Sequence, residues 1–213
     1  MGRGSALKQF PRWVRAVALF LTGVMLAVFP ALASFGWGLE SAIAQQNRTM
    51  PTDRNACAVL TAPLTPAEQE YAKTAWQYFA KNYQPDTGFA NATGGYPSGT
   101  LWDMGNYLVA LNTARWLDLI PQKEFDEKLN KFLNALGSLK LFDDALPNKV
   151  YNAANGQMVD YGNNPNPRGI GWSALDIGRV LAAFHIIRTC HPQYADWLKG
   201  IIQRWQIARS LQD

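Results

Sequence analysis

The chain is poor in the residues from which metal and redox sites are built: 213 residues hold only two cysteines and two histidines. Cys57 and Cys190 lie far apart, and His185 and His191 lack the H-x-x-x-H spacing of a zinc-binding helix. No zinc ligand set is therefore expected. A G-x-S-x-G elbow, a phosphate-binding loop and a dinucleotide fingerprint are also missing, and Gly94-Gly95 and Gly169-Ile170-Gly171 read as turns. No spacing among the loop aspartates supports Ca²⁺. The expectation is a protein without metal or cofactor. Excess positive charge is lacking where a nucleic-acid binder needs it. Four of the 20 basic residues but only one of the 16 acidic ones precede Gln45, so the remainder carries 16 against 15. That balance argues against nucleic acid as a partner. With 48% hydrophobic residues the chain can bury a core, which excludes a disordered or low-complexity protein.

What is present begins with a leader. Arg3, Lys8, Arg12 and Arg15 precede an uncharged apolar stretch between Arg15 and Glu40, and Ala42-Ile43-Ala44 follows it. This order describes a secretory signal peptide cleaved after Ala44. The same stretch is long enough for an uncleaved membrane anchor, although Pro30 and the glycines at 23, 36 and 38 interrupt it. Under either reading the body is exported to the periplasm or cell envelope, and only the leader touches a membrane. Outside the cytoplasm a Cys57–Cys190 disulfide is one expectation and two unpaired thiols the other.

Residues 1–44 are thus the leader, 45–63 a polar linker arm carrying Pro51 and Pro63, and 64–213 the domain. Thr65-Pro66-Ala67-Glu68 is a capping box that opens a helix over about 66–82. A second helix, about 100–118, is apolar nearly all round, so it is buried on most sides. The third, from Pro121 to about Leu136, keeps Phe125, Leu129, Phe132, Leu133 and Leu136 on one stripe and turns its charges to water. A fourth runs from Ser173 to about Cys190 and is again apolar all round. Pro192 opens a fifth, with Tyr194, Trp197, Leu198, Ile201, Ile202, Trp205 and Ala208 on one stripe. Buried and outer helices alternate, and so do tight and long connections. The second long connection holds an Asn155-Gly156 centre within 149–160, which predicts a β-hairpin. The fold class is all-α: alternating inner and outer helix hairpins with one small β-hairpin in a long loop. If each outer helix returns antiparallel, both buried helices point the same way, and their N-termini share one end with both long loops.

That end collects aromatic rings and acids. Trp102 and Asp103 open the second helix, and Trp172, Ser173 and Asp176 open the fourth. Asp86, Tyr151, Asp160, Tyr161 and Arg168 come from the long loops. Rings that stack on pyranose C–H faces, beside groups that bond hydroxyls, suit a glycan ligand. Asp103 and Asp176 are the candidate catalytic carboxylates, with capping of their helices as the plain structural alternative. Hydrolysis needs two carboxyl groups, one with a raised pKa, and a helix N-terminus favours ionisation instead. Asp86, Asp143, Asp144 and Asp160 are the loop candidates for the acid member.

The runs Asn82-Tyr83-Gln84-Pro85-Asp86-Thr87-Gly88-Phe89, Thr100-Leu101-Trp102-Asp103-Met104-Gly105 and Asp160-Tyr161-Gly162 resemble an exported bacterial family. So does Gly169-Ile170-Gly171-Trp172-Ser173-Ala174-Leu175-Asp176-Ile177-Gly178-Arg179, the most specific of these motifs. The family is the domain of unknown function three-one-three-one, and the resemblance covers about Leu64 to the C-terminus. It implies an (α/α) toroid like that of glucoamylase-like proteins, with the Trp-Asp and Trp-Ser-Ala-Leu-Asp segments lining a central cleft. It assigns no reaction. Family domains are nearly twice as long as this match, so the resemblance implies only the N-terminal half of a ring, completed by a missing half or a partner chain. Two functional readings follow: a glycan-processing domain, incomplete in this chain, and a non-catalytic glycan-binding or scaffold module.

Overall fold

The structure, a computed structural model, describes Cys57 and residues 63–211. The leader lies outside the described residues, as does nearly all of the linker arm. Among the described residues no helix is long and apolar enough to cross a membrane. Five α-helices occur here: α1 (Pro66–Asn82), α2 (Leu101–Trp116), α3 (Gln122–Ser138), α4 (Ala174–Cys190) and α5 (Ala195–Gln203). Short strands β1 (Ser98–Thr100), β2 (Leu141–Phe142), β3 (Leu146–Pro147) and β4 (Val150–Asn152) lie in the long connections.

The helix starts follow from local chemistry. Thr65 and Glu68 close the capping box of α1, with the Glu68 carboxylate accepting from the Thr65 N–H at 2.8 Å. The same bond pulls the Glu68 pKa below its usual range. Thr100 and Asp103 form a second capping box on α2, and Ser173 accepts from the Asp176 N–H at the start of α4. These reciprocal bonds satisfy N–H groups that a helix start leaves without partners. The fifth helix is shorter than its apolar stripe predicts. Pro192–Tyr194 forms a 3-10 turn, α5 ends at Gln203, and Ile207–Leu211 is a second 3-10 turn. Trp205 is buried from the turn between them, while Ala208 is exposed.

Contacts along the helices set their directions. Gly105 and Asn106, near the start of α2, meet Arg179 near the start of α4. Asn112, further along α2, bonds His191 just past the end of α4. The two inner helices therefore run parallel. On the outer helix α3, Phe132 packs on Tyr107, whereas Phe125 packs on His191, so α3 runs the opposite way. Phe125, Leu129, Phe132 and Leu133 are fully buried on that stripe, each contributing about 1.5–3 kcal/mol of hydrophobic burial. The inner helix α4 departs from expectation on one side: Leu175 is 77% exposed, and Gly178, Ala182 and His185 are exposed as well.

The two long connections meet at the inner-helix N-termini. β1 pairs antiparallel with β4, Gly99 opposite Tyr151. The Ala153 N–H donates to the Pro97 carbonyl, and the Thr87 hydroxyl donates to the Ala153 carbonyl. The predicted hairpin is present in reduced form: β4 turns through Asn155-Gly156 and Tyr151 bridges Met158, but its ladder partner is β1. A second antiparallel pair, β2 with β3, was not expected. Its turn residues Asp143 and Asp144 both take positive φ, which aspartate tolerates better than most residues. Gly88 also needs its conformation: φ is +77° and a Cβ there would lie 2.6 Å from the Phe132 nitrogen. The Asp86-Thr87-Gly88 turn is thereby pressed onto α3.

Asn148 organises the second long connection. Fully buried, its amide donates to the Val150 and Val159 carbonyls at 2.7 and 3.3 Å, and its oxygen accepts from the Ile170 N–H at 2.7 Å. Asn148→Ala leaves these groups buried without partners, and denaturant unfolding should show a loss of about 2–3 kcal/mol. A pH dependence is built in at the opposite end. Burial holds the His191 pKa below the ordinary value, nearby Arg115 adds to this, and Asp126 opposes it. The fold thus favours neutral His191, a contribution present above the unfolded-state pKa and lost as pH falls below it. Lowering the pH from about 7.5 to about 5 should reduce the thermal midpoint more in the native chain than in His191→Gln, which keeps a donor for Asn112.

Candidate functional site

Because α2 and α4 are parallel, their first turns stand side by side and present matched groups. Asp103 accepts from the Thr100 N–H at 2.9 Å and from the Thr100 hydroxyl at 2.6 Å, both through Oδ2. Asp176 accepts from the Ser173 hydroxyl at 2.9 Å through Oδ1. Each carboxylate thus spends one oxygen on its cap, and the other accepts no protein hydrogen bond among the described residues. Both are half-buried, close enough to solvent to meet a ligand.

One turn further along each helix lies a residue that the sequence reading did not place in the site. The Arg179 Nε donates to the Asn106 Oδ1 at 2.7 Å, and its guanidinium carbon sits 5.5 Å from the centre of the Trp102 ring. Trp102 remains 46% exposed. The result is an open wall made of an indole face, a guanidinium held by an amide, and two carboxylates. Nothing in it is hydrophobic core. Asn106 and Arg179 could have been found from sequence, because each follows the glycine of a matched Asp-x-Gly segment, Asp103-Met104-Gly105 and Asp176-Ile177-Gly178.

The other expected ligand residues go elsewhere. Tyr151 is a correction: it is fully buried, its hydroxyl donating to the Lys140 carbonyl and accepting from the Asn148 N–H, both at 2.8 Å. Burial pushes its pKa up. The alternation of β4 turns its ring inward, so it is structural. Asp160 folds its own loop, with Oδ1 accepting from the N–H groups of Gly162 and Asn164. The bonds from Asn164 hold its pKa low, which opposes the role of proton donor. Tyr161 is 70% exposed, and its carbonyl accepts from the Tyr96 hydroxyl, tying the two long connections together once more. Asp86 is exposed in the turn pressed on α3.

Trp172 stands at the same end as Trp102 but packs in another direction. Its ring meets Phe142 edge-on at 5.7 Å, with the Arg209 guanidinium 5.5 Å from its centre. Arg168 is exposed beside a cavity of about 300 Å³ that Phe142, Asp143 and Asp144 also line. Asp143 is paired with Arg209 at 2.7 Å. The expected cluster therefore divides into an inner wall (Trp102, Asp103, Asp176) and a flank (Arg168, Trp172). At the opposite end a disulfide joins Cys57 to Cys190, beside a cavity of about 340 Å³ that Asn112, Arg115 and His191 line. Among the described residues no three metal-ligating side chains gather.

Known structures share this fold. An endo-β-1,2-glucanase from Chitinophaga pinensis, in complex with sophorotriose and glucose, superposes with a TM-score of 0.51 at 18% identity over 68% of this chain. A β-1,2-glucanase from Parabacteroides distasonis gives 0.53 at 15% identity over 70%. A glucoamylase-like protein from Bacteroides fragilis gives 0.51 at 16% identity over 68%. At such identities the likeness is one of fold, and it makes this chain part of an α/α toroid. The chain spans only 37%, 22% and 37% of the length of these proteins. No curated protein matches it. The family described as protein of unknown function (DUF3131) matches residues 70–213, and the chain belongs to that family.

Proposed function

We propose that the chain is part of an exported, carbohydrate-active domain that takes a glycan at the wall formed by the first turns of α2 and α4. The observation that carries this reading is the pairing of a half-exposed Trp102 indole with the Asp103, Asp176 and Arg179 side chains on one open surface. A sugar ring stacks on the indole through its C–H face, while the free carboxylate oxygens and the guanidinium take its hydroxyls. The fold shared with β-1,2-glucanases supports a glycan as the ligand class. Export rests on the leader, and a disulfide suits an oxidising compartment.

Processing of the glycan would need a second, protonated carboxyl group across the bond. Asp103 and Asp176 each keep one carboxylate oxygen free of protein hydrogen bonds among the described residues, so they fit a hydroxyl-binding role. The acid member would come from outside the described wall. A non-catalytic glycan-binding module is the second reading, favoured by the engagement of both aspartates in helix caps.

Calorimetric titration with β-1,2-gluco-oligosaccharides such as sophorotriose should show binding, and Trp102→Ala should weaken it about tenfold, the equivalent of about 1.4 kcal/mol. Unchanged affinity in that variant would remove Trp102 from the site, and absence of binding across a panel of glycans would remove the glycan reading. Asp176→Asn and Asp103→Asn should keep most of the affinity. If the native chain turns over the oligosaccharide and these variants do not, the domain is a processing one; binding without turnover in the native chain identifies the binding module.

A further inference from the structure

Arg179 is held along its length but not at its tip. Its stem crosses Gly105, where a Cβ would lie 2.9 Å from the Arg179 Cγ. Its Nε donates to the Asn106 Oδ1 at 2.7 Å, and the guanidinium carbon stands 5.5 Å from the centre of the Trp102 ring. Among the described residues the terminal nitrogens donate no hydrogen bond and form no ion pair. Asp176 lies one turn before Arg179 on α4, and Asp103 one turn before Asn106 on α2, yet neither carboxylate pairs with the guanidinium. Fixing so long a side chain costs entropy, which a neighbouring carboxylate ordinarily offsets. Here an amide holds the half-buried arginine instead, without neutralising it.

We propose that Asn106 is a positioning residue that leaves the terminal nitrogens of Arg179 free as a two-pronged donor, and that this fork, one turn from Asp103 and Asp176, selects uncharged sugars over acidic ones. The inference rests on the glycan reading of the wall and names the class of glycan. A guanidinium whose Nε is engaged keeps the edge formed by its terminal nitrogens, which matches a pair of adjacent acceptor oxygens. A sugar offers such a pair as neighbouring hydroxyls or as the carboxylate of a uronic acid. The aspartates decide between the two. A hydroxyl accepts from the guanidinium and donates to the free oxygen of Asp103 or Asp176, whereas an ionised carboxylate only accepts. Two aspartates to one arginine also give the wall an excess of negative formal charge, which repels an acidic sugar. The identity of residue 106 matters for the same reason. An aspartate there would pair side-on with the guanidinium and draw in a terminal nitrogen, while the amide leaves both.

Calorimetric titration of the full chain with sophorotriose, and with the same trisaccharide oxidised at its primary alcohols to glucuronate, tests both parts. The native chain should bind the neutral ligand roughly tenfold more tightly than the oxidised one. Asn106→Asp is isosteric and keeps an acceptor for Nε, so its thermal midpoint should not fall, while its affinity for sophorotriose should drop about tenfold. A mere tether between the helices would leave affinity unchanged in that variant. Arg179→Lys should lose a similar factor, because an ammonium offers no planar fork. The double variant should lose little more than Arg179→Lys alone, since Asn106 acts through the guanidinium. Native affinity in Asn106→Asp, with Trp102→Ala still weakened, would overturn this inference and leave the glycan reading standing. Equal or tighter binding of the oxidised ligand by the native chain would overturn the selection of uncharged sugars. Failure of the native chain to bind either ligand would also overturn the inference, and failure across the glycan panel would overturn the reading beneath it.

Discussion

The structure depends on the close parallel approach of α2 and α4 at Gly105. A side chain at that position would collide with Arg179 and force the inner helices apart. Their first turns would then separate, and with them Asp103, Asp176 and the Arg179–Trp102 contact. Helix packing at small residues is ordinary, but here one glycine decides whether two matched helix starts form a common surface. The β1–β4 ladder reinforces the arrangement from above, since it joins the two long connections beside those same starts.

Three outer helices follow from this pair. α1, α3 and α5 each cover an apolar side of the inner layer, and each is bound to it by aromatic or aliphatic contacts, such as Phe79 with Tyr107 and Phe184 with the turn residue Trp205. The array has an inside edge that presents polar groups and a lateral edge on α4 that presents Leu175, Gly178 and Ala182. A toroid needs both kinds of surface, one for ligand and one for the neighbouring inner helix. The much longer β-1,2-glucanases of the same fold make the second requirement concrete, because this chain spans only a fraction of their length.

Much of the architecture was legible along the chain. The amphipathic stripe of α3, the all-round apolar character of α2 and the caps at Thr65, Thr100 and Ser173 are local signals, and each element begins where its cap stands. The end of the last helix was not legible, since a continuous apolar stripe from Tyr194 to Ala208 persists through the turn after Gln203. The β2–β3 pair was missed for a similar reason: strands of two residues have no detectable period. Tyr151 was misread because aromatic residues in polar loops look like ligand contacts, and only the pairing of β4 with β1 shows which face of the strand is covered. Trp172 shares a pole with Trp102, as expected, but its packing on Phe142 directs it to another side.

The amino-acid sequence alone determined the alternation of inner and outer helices, the cap chemistry and the presence of an acid and an aromatic ring at the start of α2, because these are set within a few residues by periodicity and local hydrogen bonding. Only the tertiary structure decided which of those groups face one another. Asn106 and Arg179 are 73 positions apart, and the register of α4 on α2 brings them to 2.7 Å. Register between distant helices comes from side-chain packing across the interface, which no local pattern encodes.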